Sequence, residues 1–219
     1  MLDVLLPERC AVCLAPGHAL CRSCRERLTR LVPPVCARCG SPGPWPVQRC
    51  AECAGRRLAF AEARAALVYD HSARSLVRAW KESGRRVLAR EAAALVAEVV
   101  PRPEVDCLVP VPGDPERAWR RGEVPPRRLA GELARTWGIP ALDLLERTRS
   151  LPHQRGLSLA ERRANVRGSV RVRVAEAPRT VCVVDDVYTS GATADACAAA
   201  LRKQGARRVC VVTLARAVR

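Results

Sequence analysis

The chain has 219 residues and a formal net charge of +16, an excess of positive charge that favours nucleic acid or polyphosphate partners. Its length accommodates one α/β domain with a small additional module, and no apolar run is long enough to predict a membrane span. Because the first residues also lack the basic start and apolar core of a secretory signal, we expect a cytoplasmic protein.

Four C-x-x-C pairs lie in the first part of the sequence: Cys10 with Cys13, Cys21 with Cys24, Cys36 with Cys39, and Cys50 with Cys53. Each C-x-x-C turn places two thiolates on one side of a knuckle, and two knuckles complete a tetrahedral Zn²⁺ site. Residues 1–55 therefore predict a double zinc ribbon with two structural Zn²⁺ ions, which supply its folding energy. Sequential pairing of the knuckles is the simplest arrangement, but an interleaved pairing also satisfies the spacing. Zinc ribbons either hold a partner or fix an N-terminus to its domain, and the sequence leaves both uses open.

Residues 56–104 predict a strand over Ala61–Tyr69 and two helices, over Ala73–Glu82 and Arg85–Val100. Lys81 lies near the end of the first helix, and it is one of only two lysines among 38 basic residues. In such a chain we expect this lysine to provide a compact charge near a phosphate. The alternative is an ordinary solvated helix end.

A second buried strand, over Val105–Val109, runs into Pro110-Val-Pro112 and then into a basic segment. A Pro-x-Pro sequence after a strand fixes a rigid, exposed turn that can aim backbone N–H groups, such as that of Val111, at a ligand. Three arginines that follow are expected to face this turn: Arg117, Arg120 and Arg121. The alternative is an ordinary basic loop, and a helix is expected to begin after it at Pro125 or Pro126.

The next segment combines a strand over Ala141–Arg147, a polar loop, a short helix that begins at the Ser158 capping box, and a return strand over Val170–Val174. Gln154 lies in the loop and Arg162 in the helix. A basic loop and helix between two strands are typical of a lid, which here would cover a neighbouring active site. The alternative is an arginine-rich surface hairpin.

The most specific stretch is Thr180-Val-Cys-Val-Val-Asp-Asp-Val-Tyr-Thr-Ser-Gly-Ala-Thr193. It predicts a buried parallel strand over Thr180–Val184 and a helix over Ala194–Lys203. The crevice at the carboxyl end of such a strand is where open α/β sheets bind ligands. Small residues between strand and helix offer hydroxyls and N–H groups to a phosphate, and we call them the phosphate cradle: Thr189, Ser190, Gly191, Ala192 and Thr193.

Two adjacent acids, Asp185 and Asp186, directly precede this region, where a phosphate alone would not favour them. They suit a ligand with vicinal hydroxyls next to its phosphate, such as a ribose 5-phosphate, and we expect both carboxylates to face solvent. A Walker A lysine and the Rossmann glycine spacing are absent from the stretch. The motif resembles the 5-phosphoribosyl 1-pyrophosphate (PRPP) signature of type I phosphoribosyltransferases. There the acidic pair holds the ribose hydroxyls and the loop holds the 5′-phosphate.

With these motifs in order, the whole chain resembles the ComF family, the competence-protein-F-like phosphoribosyltransferases. The resemblance is carried by the four C-x-x-C pairs and by Pro110-Val-Pro112, Gln154-Arg-Gly-Leu-Ser158 and Val184–Thr193. It implies a double zinc ribbon over residues 1–55 joined to a type I phosphoribosyltransferase domain over residues 56–219. That domain would have a hood over 56–104 and, over 105–219, a core with a parallel sheet flanked by helices.

The family resemblance implies an enzyme that binds Mg²⁺-PRPP, transfers ribosyl 5-phosphate to an unidentified acceptor and releases pyrophosphate. Four residues would contribute to catalysis: Asp185, Asp186, Gln154 and Arg162. The pyrophosphate would contact the loop after the second strand and the hood lysine: Val111, Arg117, Arg120, Arg121 and Lys81. The resemblance also implies a role in natural transformation, with single-stranded DNA and DNA-uptake or recombination proteins as partners.

A non-catalytic module that senses PRPP and binds single-stranded DNA is the alternative to the enzyme. The chain also departs from the family at one place, because Glu123-Val-Pro-Pro126 stands where the family has Phe-Asn-Gln-Ala after Arg-Gly. The aromatic ring and both amides are therefore missing from the segment that follows the pyrophosphate loop.

Overall fold

The computed structural model describes residues 8–83, 85–114, 124–148 and 168–218. In chain order, the helices and strands are α1 (Arg22–Glu26), β1 (Glu62–Val68), α2 (His71–Ser83), α3 (Val87–Val99), β2 (Cys107–Pro110), α4 (Pro125–Trp137), β3 (Leu145–Arg147), β4 (Val170–Val172), β5 (Thr180–Tyr188), α5 (Ala192–Lys203) and β6 (Arg208–Arg216). Strands and helices alternate over most of the chain, which confirms the predicted α/β class.

Strands β1, β6, β5 and β2 form one parallel sheet in this order. Its register places Val181 of β5 opposite Cys107 of β2 and Val209 of β6. The central strands are nearly continuous apolar runs because parallel strands are buried on both faces. β3 and β4 form a separate antiparallel pair. The predicted parallel sheet flanked by helices is therefore confirmed.

Alternate residues of the central strands point to opposite faces of the sheet. Cys182 and Val184 belong to a hydrophobic core that includes α2, α3 and α4, and we call this side the hood face. Val181 and Val183 belong to a second core, which includes α5 and the β3–β4 pair, and we call that side the α5 face. The sheet thus separates two cores.

The two halves of the cysteine-rich segment pack on opposite faces of the sheet. The first ribbon joins the hood-face core through Leu20 and Leu28. The second ribbon and the residues just after it join the α5-face core through Leu58 and Phe60. Both halves therefore extend the two cores of the sheet. A segment of this length buries too little apolar surface to form a core by itself.

The cysteine-rich segment also covers the free edge of β1, the outer strand of the sheet. The Leu31 N–H donates to the Ala66 carbonyl oxygen (2.8 Å), and the Ala63 N–H donates to the Arg38 carbonyl oxygen (3.0 Å). An uncovered edge strand would offer its backbone groups to other chains. The ribbons therefore complete the sheet at this edge.

Some elements differ in length from the sequence prediction. β5 continues to Tyr188 rather than ending at Val184, because β6 extends beside it as far as Arg216. The strand predicted over Ala141–Arg147 forms only at its end, and Ala141 makes a single bridge to Leu108. No helix within the described ranges combines the length and apolar character needed to cross a bilayer.

Candidate functional site

The phosphate cradle connects β5 to α5 at the carboxyl end of a central strand. Gly191 is the N-cap of α5 and adopts a φ of +72°, a left-handed conformation that glycine adopts without strain. The Asp195 N–H donates to the Gly191 carbonyl oxygen (2.9 Å), which starts the helix. The first N–H groups of a helix have no partner inside it, so the cradle can present them to an anion.

One pocket brings the cradle and an acid of the adjacent pair together. Its lining residues are Asp185, Val187, Tyr188, Thr189, Gly191, Ala192, Thr193, Ala194 and Thr213. Thr213 was not expected from the sequence. It lies opposite Asp185 in the register of β5 and β6, and its signal was the one hydroxyl in the apolar run between Arg208 and Arg216. The pocket thus brings Asp185 and four of the five cradle residues around one cavity.

Asp186 is buried, with 6 % of its surface exposed, and its Oδ2 lies 2.7 Å from the Lys81 Nζ. The expectation that both acids face solvent is therefore wrong for Asp186, because β5 continues through the acidic pair. Burial alone would lower the pKa of Lys81, but the charge and hydrogen bond of Asp186, with the charges of Asp185 and Tyr69, together outweigh burial and raise this pKa. Lys81 is thus a cation held beside the acids and not an ordinary solvated helix end.

Asp185 forms part of the pocket wall and is only partly exposed. Burial and then the neighbouring charge of Asp186 raise the pKa of Asp185 to about 7, although Lys81 and Arg147 oppose the rise. The Asp186 N–H donates to Asp185 Oδ1 (2.8 Å), which orients the carboxyl group. A carboxyl that titrates near neutral pH at the wall of a pocket is typical of a functional site.

Arg147 is a candidate site residue that the sequence did not reveal. It is the last residue of β3, and its Nε donates to the Pro112 carbonyl oxygen (3.0 Å). Its Nη1 is buried and has no hydrogen-bond partner among the residues that the structure describes. Its charge also lowers the pKa of Asp185. Arg147 therefore lies between the Pro110-Val-Pro112 turn and the acidic pair, and its Nη1 group can donate a hydrogen bond to a ligand.

Val111, expected to offer its N–H to pyrophosphate, is buried beside β5. Its N–H donates to the Val184 carbonyl oxygen (2.9 Å), so the sheet already uses this group. A pyrophosphate contact from the Val111 N–H would require that bond to break. The other expected pyrophosphate and lid residues lie outside the described ranges: Arg117, Arg120, Arg121, Gln154 and Arg162.

The eight cysteine sulfurs form two clusters: Cys10, Cys13, Cys21 and Cys24, and then Cys36, Cys39, Cys50 and Cys53. Separations between sulfurs include 3.7 Å for Cys13–Cys21 and for Cys36–Cys53, and 3.4 Å for Cys39–Cys50. Tetrahedral Zn–S bonds of about 2.3 Å place sulfurs about 3.8 Å apart. Both clusters therefore fit structural zinc. The sequential pairing is confirmed and the interleaved pairing is wrong.

The first cluster contains thiols of very different acidity. The Ser23 hydroxyl, followed by hydrogen bonds from Cys24, lowers the pKa of Cys21 to about 6. Burial raises the pKa of Cys24 to about 12. Zinc binds thiolates, so the metal would hold both groups deprotonated, and its binding energy would offset the cost of ionising the buried thiol.

Comparison with known proteins covers nearly the whole chain. A family model described as a double zinc ribbon domain matches residues 1–56. Competence protein F of Haemophilus influenzae is 30 % identical over 224 aligned residues, which cover 95 % of this chain and 97 % of the relative. The DNA utilization protein YhgH of Escherichia coli (strain K12) is 29 % identical over 226 residues, which cover 96 % and 98 %.

Solved structures with some similarity include two phosphoribosyltransferases. The adenine phosphoribosyltransferase of Thermoanaerobacter pseudethanolicus is 12 % identical, with a TM-score of 0.38 over 61 % of this chain and 83 % of that one. The purine phosphoribosyltransferase of Pyrococcus horikoshii is 18 % identical, with a TM-score of 0.34 over 58 % and 72 %. The match to competence protein F extends over nearly the full length of both chains, and the chain therefore belongs to the ComF family.

Proposed function

We propose that this chain is a phosphoribosyltransferase-like enzyme that binds PRPP, moves its ribosyl 5-phosphate group to an unidentified acceptor, and releases pyrophosphate. In this proposal, residues 56–219 are the PRPP-binding domain and residues 1–55 are its double zinc ribbon. The observation that carries it is the pocket in which Asp185 lies beside four of the five cradle residues. A carboxylate beside a phosphate site suits a ligand that joins a phosphate to vicinal hydroxyls.

The proposal gives each described site residue a role. The cradle binds the 5′-phosphate, and Asp185 and Asp186 bind the ribose hydroxyls. With a pKa of about 7, Asp185 can accept or donate a hydrogen bond, while the Lys81 cation balances the charge of Asp186. Positive charge develops on the ribose ring as its bond to pyrophosphate breaks, and nearby carboxylates would stabilise that charge.

The departing pyrophosphate needs cationic hydrogen-bond donors. Arg147 meets this need in the described part of the chain, because its buried Nη1 is unpartnered there and lies close to the Pro110-Val-Pro112 turn. Five expected contacts outside the described ranges stay part of the proposal: Arg117, Arg120, Arg121, Gln154 and Arg162. Mg²⁺ carried by the substrate would neutralise a further part of the pyrophosphate charge.

A link to DNA forms the second part of the proposal. Two relatives are named competence protein F and DNA utilization protein, and the net charge of +16 favours a polyanionic partner. Because aromatic residues make up only 3 % of the chain, we expect electrostatic contact with single-stranded DNA rather than extensive base stacking. This work would take place in the cytoplasm with DNA-uptake or recombination proteins. A non-catalytic PRPP-sensing, DNA-binding module is the alternative.

Calorimetric titration with Mg²⁺-PRPP tests the binding site. The double variant Asp185→Asn, Asp186→Asn should lose binding and, because Asp186 is the buried partner of Lys81, also some stability, whereas Asp185→Asn alone should weaken binding and keep the circular dichroism spectrum of the wild type. Asp143→Asn is the matched control, because Asp143 is an exposed acid paired with Arg127. Wild-type affinity in the double variant would contradict the ribose assignment.

Release of pyrophosphate from PRPP distinguishes the enzyme from the sensor. The assay is run alone, with candidate acceptors and with single-stranded DNA. Release that an acceptor accelerates supports group transfer. Tight PRPP binding with no release under any of these conditions would support the sensing module instead.

A further inference from the structure

The Tyr188 ring lies directly against the phosphate cradle. A Cβ atom placed on Gly191 would be 2.2 Å from the Tyr188 hydroxyl oxygen, so the ring and the glycine are in close contact. The hydroxyl is buried, and within the described residues it has no hydrogen-bond partner. The position of the ring therefore depends on the groups packed around it.

Two side chains hold the Tyr188 ring. Phe60 meets it edge-on, with ring centroids 6.4 Å apart and an angle of 84° between the planes. The Arg216 guanidinium carbon lies 4.5 Å from the ring centroid, a cation–π contact. Phe60 follows the second zinc ribbon, and Arg216 is the last residue of β6. The cradle is thus supported from the α5 face.

The second zinc ribbon anchors Arg216. Only 1 % of this arginine is exposed. Its Nη1 donates to the Cys39 carbonyl oxygen (2.6 Å), and its Nη2 pairs with Glu52 Oε2 (2.5 Å) and lies 3.6 Å from the Cys39 sulfur. Cys39 belongs to the second sulfur cluster, and Glu52 lies between Cys50 and Cys53, two other members. The buried arginine is therefore bonded to one metal ligand and to the residue between two others.

We propose that Arg216 is a positioning residue that connects the second zinc site to the phosphate cradle through the Tyr188 ring. When zinc fixes Cys39, Arg216 is held by the Cys39 carbonyl and by Glu52, and the ring keeps Gly191 in the conformation that presents the cradle's N–H groups. Loss of the metal loosens this chain of contacts and weakens phosphate binding. By linkage, a ligand in the cradle also acts on the metal site.

This inference deepens the proposed function and rests on it for the identity of the ligand. The first zinc site provides an internal comparison. Within the described ranges, its ribbon contacts the hood face, where Arg25 pairs with Glu91 and Glu98 of α3 at 3.0 Å each. An effect of zinc on the cradle should therefore come from the second site alone.

Arg216→Lys is the informative variant. It keeps the charge, but an ammonium group lacks the planar, forked shape of the guanidinium. A lysine therefore cannot bind the Cys39 carbonyl and Glu52 and stack on the Tyr188 ring at the same time. Arg25→Lys in the first ribbon is the matched control, because it changes the same residue type at a ribbon contact. Should Arg216→Lys fail to fold, Glu52→Gln replaces it, since it weakens the same anchor and preserves the shape of the side chain.

Amide hydrogen exchange tests the coupling without any ligand. In Arg216→Lys, with two Zn²⁺ still bound, the peptide that contains Thr189–Asp195 should exchange about tenfold faster than in the wild type, a ratio within the usual range of coupling between sites. In Arg25→Lys its exchange should be unchanged. Equal protection of this peptide in wild type and Arg216→Lys would overturn the inference.

A second measurement uses protein in which Co²⁺ replaces Zn²⁺, so that the cobalt–thiolate absorption reports on the metal sites. Titration with Mg²⁺-PRPP should shift this band in the wild type and in Arg25→Lys. Arg216→Lys should bind about tenfold more weakly and show no shift. Ligand binding to wild type without a shift, or wild-type affinity in Arg216→Lys, would overturn the coupling. If the wild type binds no PRPP, the proposed function fails, whereas the hydrogen exchange result still decides the coupling.

Discussion

The two zinc ribbons have the same ligands but are attached to the sheet in different ways. The first is tied to α3 by partly exposed ion pairs, in which Arg25 and Arg30 contact Glu98. The second is attached by the buried Arg216 and by Gly40, whose backbone is so close to β1 that a Cβ would lie 2.5 Å from the Ala63 carbonyl oxygen. The ion pairs of the first ribbon are partly exposed, although Leu20 and Leu28 also pack this ribbon on the hood-face core. In the second ribbon the arginine of the ion pair is itself buried.

A repeated metal motif therefore need not have a repeated structural role. Exposed ion pairs contribute about 0–1 kcal/mol each, whereas removing one partner of a buried pair costs about 3–5 kcal/mol. The first ribbon therefore serves mainly to attach the N-terminal segment to the hood face. The second ribbon contacts the candidate site indirectly, because it binds Arg216 and Arg216 lies over the Tyr188 ring of the pocket.

The largest expected effect comes from removing a zinc site. The purified protein should contain about two Zn²⁺ per chain, because four thiolates complete each site, and structural zinc contributes on the order of 10 kcal/mol. Cys39→Ser should lower the melting temperature more than Cys13→Ser, because Cys39 is buried and binds Arg216, whereas Cys13 is exposed. Elemental analysis and thermal unfolding measure both effects. One zinc or none in the wild type would contradict the two-site assignment, and equal losses in the two variants would contradict the difference between the ribbons.

Arg216→Met should have the next largest effect. It leaves Glu52 and the Cys39 carbonyl without their guanidinium partner, and we expect the free energy of unfolding to fall by about 3–5 kcal/mol. Denaturant unfolding of the metal-loaded protein measures the change. A loss below about 1 kcal/mol, the range of an exposed pair, would mean that the second ribbon is attached no more firmly than the first.

Asp185→Asn tests whether the pocket wall contains a group that lowers the stability of the fold. The folded pKa of about 7 lies above the ordinary 3.8, so the folded state keeps a proton that the unfolded state has lost. This carboxyl therefore lowers stability as pH rises from about 4 to 7. Its replacement should raise the free energy of unfolding on the order of 1–4 kcal/mol at pH 7.5, and by little at pH 4.

Denaturant unfolding of wild type and Asp185→Asn at several pH values between 4 and 7.5 measures this change in the free energy of unfolding. Asp143→Asn serves as the control, because Asp143 is an exposed acid and should show no comparable rise. A variant that is less stable than wild type at pH 7.5 would show that Asp185 holds the fold together rather than serving a ligand.

The smallest expected effect is that of Arg25→Met. Its partners Glu91 and Glu98 are partly exposed, so water can solvate them after the arginine is lost. We expect a loss of less than about 1 kcal/mol, and less still in 1 M salt, where exposed pairs are screened. Unfolding at two salt concentrations measures this. A loss as large as that of Arg216→Met would remove the distinction between the ribbons.

Local spacing was enough to predict the metal sites and the pocket. C-x-x-C pairs carry their own geometry, and a buried strand followed by acids and small residues fixes a crevice at the strand end. The knuckle pairing was not predictable, because both pairings satisfy the same spacing. Burial of Asp186 was missed because β5 extends to Tyr188, and sequence alone does not show where a strand stops pairing with its neighbour.

The long-range contacts of Arg147 and Arg216 could not be predicted from the sequence for a different reason. Arginine is so abundant in this chain that neither Arg147 nor Arg216 differs from its neighbours in the printed sequence. What distinguishes them is the fold: Arg147 is directed to the Pro112 carbonyl, and Arg216 reaches Cys39 across 177 positions. No local pattern encodes such pairs.

The 177 positions between Cys39 and Arg216 also set an order of events during synthesis. A ribosome adds about 5–20 residues per second, so the second ribbon waits on the order of 10–35 s before β6 exists. During that time Glu52 and the Cys39 carbonyl lack their final partner. Zinc therefore binds this ribbon either in the interval, without Arg216, or after β6 has formed. In a nascent chain interrupted before β6, the Cys39 carbonyl and Glu52 would be exposed to solvent because Arg216 does not cover them.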